Sequence, residues 1–278
     1  MQHFASLSSV PPEAVSPSVL VPTMGALHDG HVALIQAARG IAGETGSVLV
    51  SIFVNPLQFD RSSDLADYPR SLERDLALCR TLGVDVVFAP RAEEFYSPDH
   101  SIMVSESLLS RQLCGATRPG HFDGVCTVVL KLFTALQPTA AVFGKKDYQQ
   151  IAIIRRLVRD LAVPVEVHSV ETVREQDGLA LSSRNANLST DHRVDAARIH
   201  RALSAARHLR QTGEQRCEVY LNTARHHLLH EAPPAMKIDY LEMVDRETLQ
   251  PLPRVAVPAL LATAVFYDDV RLIDNVEV

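Results

Sequence analysis

No apolar run in the 278 residues approaches the ~20 needed to span a bilayer, so no transmembrane helix and no membrane partner is expected. Lysine and arginine form no block, and the net charge is −6. A nucleic-acid partner would call for a basic stripe that neutralises phosphates, so that class is not expected either. The four cysteines, Cys79, Cys114, Cys126 and Cys217, are scattered with no C-x-x-C pair, which leaves neither a structural zinc site nor a dithiol redox centre. Buried free thiols are the expectation. The opening stretch MQHFASLSSVPPEAVSPS lacks a basic start followed by an apolar core, so no secretory leader is expected and the chain reads as cytoplasmic. Two common phosphate-binding loops are missing as well. There is no G-x-x-x-x-G-K-[ST], and no G-x-G-x-x-G after a strand. No internal repeat or low-complexity tract is present.

What remains is an ordinary globular composition, 46% hydrophobic and 22% charged, on a chain long enough for one large domain or two modest ones. Five short Val/Ile/Phe-rich runs read as strands: Val19–Pro22, Val48–Val54, Val84–Ala89, Ala140–Phe143 and Val163–His168. They are nearly continuous rather than alternating, as parallel strands buried on both faces should be. Helical spacing lies between them, at Leu72, Leu76, Cys79 and Leu82 and again at Ile151, Ile154, Leu157, Val158 and Leu161. Alternating strands and helices predict an α/β domain, a doubly wound Rossmann-like parallel sheet, over residues 1–173. Ligands in such sheets bind beyond the carboxyl ends of the strands.

After Val173 the pattern changes. A helix should start at Ser189-Thr190-Asp191 and run to about Arg210, with Gly213 as its stop, and a second should cover about Glu214–His230 before Pro233-Pro234. Lys237–Val244 and Ala259–Tyr267 read as strands. A smaller α+β domain over 174–278 is the expectation.

Three segments carry chemistry. Pro22-Thr-Met-Gly-Ala-Leu-His28-Asp-Gly30-His31 follows the first strand, and a helical stripe of Val32, Ile35, Ala38 and Ile41 comes directly after it. Two histidines three apart share a face of the first turn, where free backbone N–H groups and the positive helix end suit a polyphosphate and Gly30 permits close approach. A metal pair or two surface histidines are the alternatives. Phe143-Gly144-Lys145-Lys146-Asp147-Tyr148-Gln149-Gln150 ends another strand with a glycine, cations and an acid, suited to phosphate and ribose or to a solvated turn. Leu181-Ser182-Ser183-Arg184-Asn185 is an adaptable phosphate clamp or an ordinary helix-capping loop.

These segments occur in order with F-V-N-P-L-Q-F (Phe53–Phe59), D-Y-P-R (Asp67–Arg70), R-P-G-H-F (Arg118–Phe122) and R-L-I-D-N (Arg271–Asn275). From about Val19 to its end the chain resembles the pantothenate synthetases (pantoate–β-alanine ligases), among the nucleotidyltransferases with an HxGH motif. The resemblance implies an enzyme that adenylates pantoate with ATP, releases pyrophosphate, and passes the pantoyl group to β-alanine to give pantothenate and AMP. It implies a homodimer, magnesium accompanying ATP, and no tightly bound organic cofactor.

Carried over position by position, the resemblance assigns the nucleotide loop to Met24, Gly25, Ala26, Leu27, His28, Asp29, Gly30 and His31. His28 and His31 would contact phosphates, with His31 the proton donor. Gly144, Lys145, Lys146 and Asp147 would bind ATP, Lys146 neutralising phosphate charge and Asp147 reaching the ribose. Val173, Leu181, Ser182, Ser183 and Arg184 would complete the nucleotide site, the second domain closing over it. Gln58 would contact pantoate and β-alanine, Gln150 pantoate, and Asn55 would help orient the amine. Asp75 lies where the magnesium ion would be touched.

Two positions depart from the family pattern: Lys145 stands where Glu or Gln is commoner, and Asp123 where Arg is. They bear on tuning rather than on the reaction. His226, His227 and His230 have metal-like spacing but no adjoining acidic set, and read as a solvated helix face. Thr127–Leu136 reads as apolar core, with a share in a dimer contact. The competing functions are another nucleotidyltransferase with this histidine motif, an aminoacyl-tRNA synthetase fragment, and a non-catalytic nucleotide-binding regulator. The fragment lacks a basic anticodon-binding surface, and the regulator would show damage at His28, His31, Lys146 or Arg184, all of which are intact.

Overall fold

The computed structural model describes residues 1–6, 9–10 and 17–278; residues 7–8 and 11–16, part of the opening stretch read above for a leader, lie outside the described residues. The chain divides into two compact units. The first comprises Met1–Ser107, Arg118–Lys145 and Gln150–Glu171, and the second Leu108–Thr117, Lys146–Gln149 and Thr172–Val278.

In the first unit β1 (Gln2–Phe4), β2 (Ser18–Thr23), α1 (Asp29–Ala42), β3 (Ser47–Ile52), α2 (Ser62–Ala66), α3 (Leu72–Thr81), β4 (Val86–Phe88) and α4 (Ala92–Phe95) follow one another. The short α5 (Leu113–Thr117) belongs to the second unit; α6 (His121–Leu136), β5 (Ala140–Gly144), α7 (Tyr148–Asp160) and β6 (Glu166–Val170) come next. The six strands form one parallel sheet in the order β1-β4-β3-β2-β5-β6. One face, Val19, Val21, Val48, Val50, Val87 and Val142, packs on Ile35 and Ala38 of α1 and Cys79 of α3. By the period of two, Leu20, Leu49, Phe88 and Ala141 point to the other face, and they are equally buried. That two-sided burial is the reason the strands read as unbroken apolar runs. Each such side chain taken out of water contributes about 1.5–3 kcal/mol. Ten of the sixteen residues of α6 are buried, in keeping with the core reading of Thr127–Leu136.

The strand order reverses at β2. β3 and β4 lie on one side of it and β5 and β6 on the other, so β2 and β5 flank the topological switch point where open α/β sheets bind ligands.

The second unit adds α8 (Thr190–Asp195), α9 (Arg198–His208), α10 (Cys217–Leu229) and an antiparallel sheet of β7 (Met236–Asp245), β8 (Ala259–Tyr267) and β9 (Val270–Glu277). Ile199, Leu203 and Ala206 of α9 and Tyr220, Ala224 and Leu228 of α10 pack with Leu241, Met243, Leu261, Val265 and Tyr267 of the sheet. Ser189 caps α8, accepting from the His192 N–H at 3.2 Å. The single helix expected to Arg210 is divided. Ala196 and Ala197 keep helical dihedrals, but their ψ values of −21° and −19° tighten the ladder, and Ile199 N–H bonds back only three residues, to Ala196. Gly213 stops the run at φ +79°, in the left-handed region that suits glycine.

Two short pieces that the sequence reading places in the first domain group with the second unit. Their hydrogen bonds show why. Thr117 Oγ1 donates to Asp239 (2.9 Å), Gln149 Nε2 donates to the carbonyls of Leu109 and Gln112, and Asn275 Nδ2 donates to the Lys146 carbonyl (2.9 Å). The four cysteines are free and buried; burial pushes the Cys79 thiol up to about 11 and Cys126 to about 12, so neither is a nucleophile at neutral pH. No helix among the described residues is long and apolar enough to cross a membrane.

Candidate active site

The carboxyl ends of β2, β3 and β5 carry the sequence motifs of the first unit. After β2 the chain makes a tight turn. Thr23 Oγ1 donates to the Ser51 carbonyl (2.8 Å) and accepts from Gly25 N–H (3.1 Å). Gly25 at φ +81° and Ala26 at φ +50° are consecutive left-handed residues, and a Cβ on Gly25 would lie 3.0 Å from both Asp75 Oδ2 and Ile52 Cγ2. A glycine is required there on both grounds.

Asp75 holds this turn. It is 1% exposed; Oδ2 accepts from Ala26 N–H and Oδ1 from Leu27 N–H, each at 2.9 Å, and Ser71 Oγ also donates to Oδ1 (3.2 Å). Two successive N–H groups on one anion form a nest, here filled from within the chain. The carboxylate named as a candidate magnesium ligand is therefore occupied by the backbone of the turn after β2. The same holds in reverse for Ala26 and Leu27, whose N–H groups face Asp75.

The two histidines close the helix start on each other. His28 is the N-cap of α1: its Nδ1 accepts from Gly30 N–H (3.1 Å), and His31 Nδ1 accepts from His28 N–H (3.3 Å), a capping box built from imidazoles. Their ring centroids are 4.2 Å apart. The expectation of free backbone N–H groups for phosphate is thus corrected, since the histidine rings and the His28 carbonyl receive those of His28, Gly30, His31 and Val32. A consequence follows for the rings. A nitrogen that accepts carries no proton, so each neutral imidazole holds its proton on Nε2. Capping orients the two rings so that each neutral imidazole offers one N–H donor. Asp29, in the first turn, is exposed and complements the helix dipole; Met24 is half-buried.

At the end of β3, Asn55 caps the 3-10 turn Pro56–Gln58. Asn55 is 1% exposed, and its side chain is fully used: Nδ2 donates to Gln58 Oε1 and to the Gly124 carbonyl (3.0 Å each), while Oδ1 accepts from Leu57 N–H (3.3 Å) and Tyr96 O–H (3.0 Å). Gln58 Nε2 lies 3.2 Å from Met24 Sδ, which brings the β2 and β3 loops together. R-P-G-H-F grips the same turn. Arg118 Nη2 and His121 Nδ1 both donate to the Gln58 carbonyl (3.1 and 2.7 Å), and Arg118 Nε bonds Asp60 (2.7 Å). Burial works to raise the Asp60 pKa, but the bond and charge of Arg118 outweigh it and hold the carboxyl below its ordinary range. Gly124 of α6 approaches so closely that a Cβ would meet the Leu57 carbonyl oxygen at 2.4 Å.

Gly144 ends β5, paired with Val170, and Lys145 forms an ion pair with Glu171, which gives the departure at Lys145 a partner within the first unit. Asp123, the other departure, sits in the first turn of α6, where a negative charge suits the helix dipole. Gln150 is half-buried in the first turns of α7.

The second unit holds the remaining candidates. Lys146 Nζ lies 3.1 Å from Asp147 Oδ2, and Asn275 of R-L-I-D-N fixes the Lys146 backbone. Val173 and Leu181 are joined by a Leu181 N–H to Val173 carbonyl bond (3.0 Å). Ser182 caps the 3-10 turn Ser183–Asn187, accepting from Arg184 N–H (3.3 Å), and Asn185 Nδ2 ties it to the Ala180 carbonyl (3.1 Å). His226, His227 and His230 are exposed at the end of α10, and the described residues contain no group of three or more His, Cys, Asp or Glu placed to hold a metal ion.

Sequence reasoning misses Tyr96, Arg118 and His121 as supports of Gln58, and Asn275 as support of Lys146. The last three stand in motifs quoted above, so the signal was present without its geometry. Tyr96 carries no local signal at all.

Comparison with known proteins gives one answer. The family model for pantoate-beta-alanine ligase matches residues 5–277. The pantothenate synthetase of Akkermansia muciniphila is 56% identical over 259 residues, 93% of this chain and 91% of that protein. That of Thermosipho africanus is 49% identical over 92% of this chain and 90% of its own length. Among solved structures, the pantothenate synthetase of Thermus thermophilus has a TM-score of 0.92 at 44% identity, covering 99% of each chain. The pantoate-beta-alanine ligase of Francisella tularensis, solved with beta-gamma ATP and beta-alanine, has a TM-score of 0.78 at 33% identity, covering 99% of this chain and 97% of that one. With the HxGH turn at the sheet's switch point and these relatives over nearly its whole length, the chain belongs to the pantoate-beta-alanine ligase family.

Proposed function

We propose that the chain condenses pantoate with β-alanine at the expense of ATP, through a pantoyl-adenylate, releasing AMP and pyrophosphate. The observation that carries this reading is the imidazole capping box, which sets two Nε2–H donors at the switch point of a parallel sheet in a member of this ligase family.

In the first step a pantoate carboxylate oxygen bonds to the α-phosphorus, and the bond to pyrophosphate breaks with its electron pair leaving on pyrophosphate. His28 and His31 donate hydrogen bonds through Nε2 to phosphate oxygens, that of His31 offsetting the charge that grows on the departing pyrophosphate. Lys146 offsets the charge that grows on the phosphate, and Arg184 with Ser182 and Ser183 supplies further donors. Gly144, Asp147, Val173 and Leu181 contact the nucleotide. In the second step the β-alanine nitrogen bonds to the acyl carbon, the bond to AMP breaks, and the amine proton is released. Neither step forms a bond to the enzyme. Holding the reactants in line accounts for roughly 7–11 kcal/mol of barrier in well-oriented systems, and fixed donors on the phosphorane add to it.

Gln58 and Gln150 hold pantoate. A neutral amide donates to the carboxylate without the salt bridge that would blunt it as a nucleophile. Magnesium would enter with the substrate as MgATP and would supply charge neutralisation on the phosphates. Asp75, whose oxygens face backbone N–H groups, serves the loop instead. The enzyme works as a cytoplasmic homodimer.

Pantoate-dependent exchange of labelled pyrophosphate into ATP, with magnesium present and β-alanine omitted, tests the reading. The expected result is exchange that requires pantoate and disappears in His31→Ala and Lys146→Ala. ATP binding without any exchange would sink the adenylation step.

A further inference from the structure

We propose that Tyr96 is a positioning residue for substrate binding: its hydroxyl holds in place the Asn55 carboxamide that turns the Gln58 oxygen inward and its amide nitrogen toward pantoate. The inference rests on the reading that Gln58 holds pantoate.

Amide orientation is decided here by groups that cannot flip. Asn55 Oδ1 faces the Leu57 backbone N–H, and Asn55 Nδ2 faces the Gly124 carbonyl. A peptide N–H only donates and a carbonyl only accepts, so the oxygen and nitrogen of Asn55 are assigned unambiguously. The second Nδ2 proton then points at Gln58, which must turn Oε1 toward it at 3.0 Å and leave Nε2, a donor with two protons, on the side of Met24 Sδ at 3.2 Å. A donor is what a carboxylate ligand requires. An inverted Gln58 would present an oxygen to the pantoate carboxylate and repel it.

Tyr96 is the stronger hold on Asn55. Its hydroxyl reaches Oδ1 at 3.0 Å, whereas Leu57 N–H lies at 3.3 Å, near the outer limit of a useful bond. The phenol is buried, and burial pushes its pKa well above the ordinary value, so it remains a donor throughout the working range. The ring is itself clamped. It meets Phe95 edge-on at 5.0 Å and Phe53 at 5.9 Å, and Lys131 Nζ sits 5.1 Å above it while donating to the Phe95 carbonyl. A rigid phenol, a saturated asparagine and an oriented glutamine therefore form one relay, all within the first unit.

Tyr96→Phe removes only the hydroxyl. Losing one hydrogen bond that orients a charge-binding group predicts a fall in kcat/KM for pantoate of about tenfold, with KM for ATP unchanged. The decisive measurement is a double-mutant cycle with Gln58→Ala, following pantoate parameters in the exchange assay and melting midpoints alongside. If Tyr96 acts through Gln58, Tyr96→Phe has no further effect on pantoate in the Gln58→Ala background. Pantoate parameters unchanged in Gln58→Ala would overturn the underlying reading. A normal Gln58 dependence with Tyr96→Phe losing only thermal stability, or with additive losses in the cycle, would overturn this inference and leave that reading standing.

Discussion

Asp75→Asn is the most informative single change, because the substitution alters charge and donor pattern while keeping shape. In the native protein two backbone N–H groups, from Ala26 and Leu27, each reach a carboxylate oxygen at 2.9 Å in a site 1% exposed. Hydrogen bonds to a charged group contribute about 1.5–3 kcal/mol each. Asparagine keeps one oxygen and sets an NH2 against the other N–H, so one bond is lost and one buried donor is stranded. The expected destabilisation is about 2–4 kcal/mol on that basis. The turn it releases holds Gly25 and Ala26 in the left-handed region, and Ala26 occupies that region at a cost of about 1–2 kcal/mol. Once free to relax, the turn carries His28 and its cap away from the position that α1 requires. Exchange activity should therefore drop by about 10–100-fold, each factor of ten being about 1.4 kcal/mol of lost transition-state stabilisation. Urea unfolding measures the first quantity and pantoate-dependent pyrophosphate exchange the second. A magnesium titration separates the roles: a loop anchor predicts a defect that excess magnesium does not relieve, and a metal ligand predicts one that it does. Wild-type stability together with wild-type exchange would refute the anchor, and rescue by magnesium would restore Asp75 to the metal.

Three further outcomes are expected. His28→Asn retains an N-cap acceptor for Gly30 N–H but removes the Nε2 donor, so the melting midpoint should stay close to wild type while exchange is lost; a matched loss of both would mean that His28 serves only as a cap. Gly124→Ala drives a Cβ to 2.4 Å from the Leu57 carbonyl oxygen, and overpacking of this kind costs about 1–3 kcal/mol; an unaltered urea midpoint would show that α6 can shift freely. His200 has its pKa lowered by burial first and by Arg174 next, against the opposing pull of Asp274 at 3.9 Å, with Arg207 repelling it further. A depressed folded-state pKa means that the unfolded chain takes up the proton first, so stability is lost as pH falls below about 6.5 toward the folded value. His200→Gln should flatten that part of the stability curve, and an identical pH slope in the variant would remove His200 from the account.

Most of the parallel sheet was legible because burial on both faces writes an unbroken apolar run. The strands at Ser18–Thr23, Ser47–Ile52 and Ala140–Gly144 lie within two residues of their expected places. The last parallel strand begins at Glu166 rather than Val163, where pairing with Ala140 starts, three residues beyond the apolar onset. Gln2–Phe4 has no apolar run and exists as a strand through its pairing with Val86–Phe88. Val270–Glu277 is likewise polar enough to read as a motif, and only the ladder to Ala259–Tyr267 makes it a strand. The division at Ala196–Ala197 was not legible, because alanine favours a helix and says nothing about a tightened ladder.

The sequence by itself determined the fold class and the family, since apolar strands and the glycines, histidines, cations and amides at fixed spacing after them are local requirements of backbone conformation and charge. Tertiary structure alone decided what those residues are presented as. Asp75 reaches the turn after β2 from 48 and 49 positions away, Gly124 and Tyr96 reach Asn55 from 69 and 41, and each fixes a placement rather than a residue type. Hydrogen-bond polarity is set by which donor stands opposite which acceptor, and no local pattern records a partner so distant in the chain.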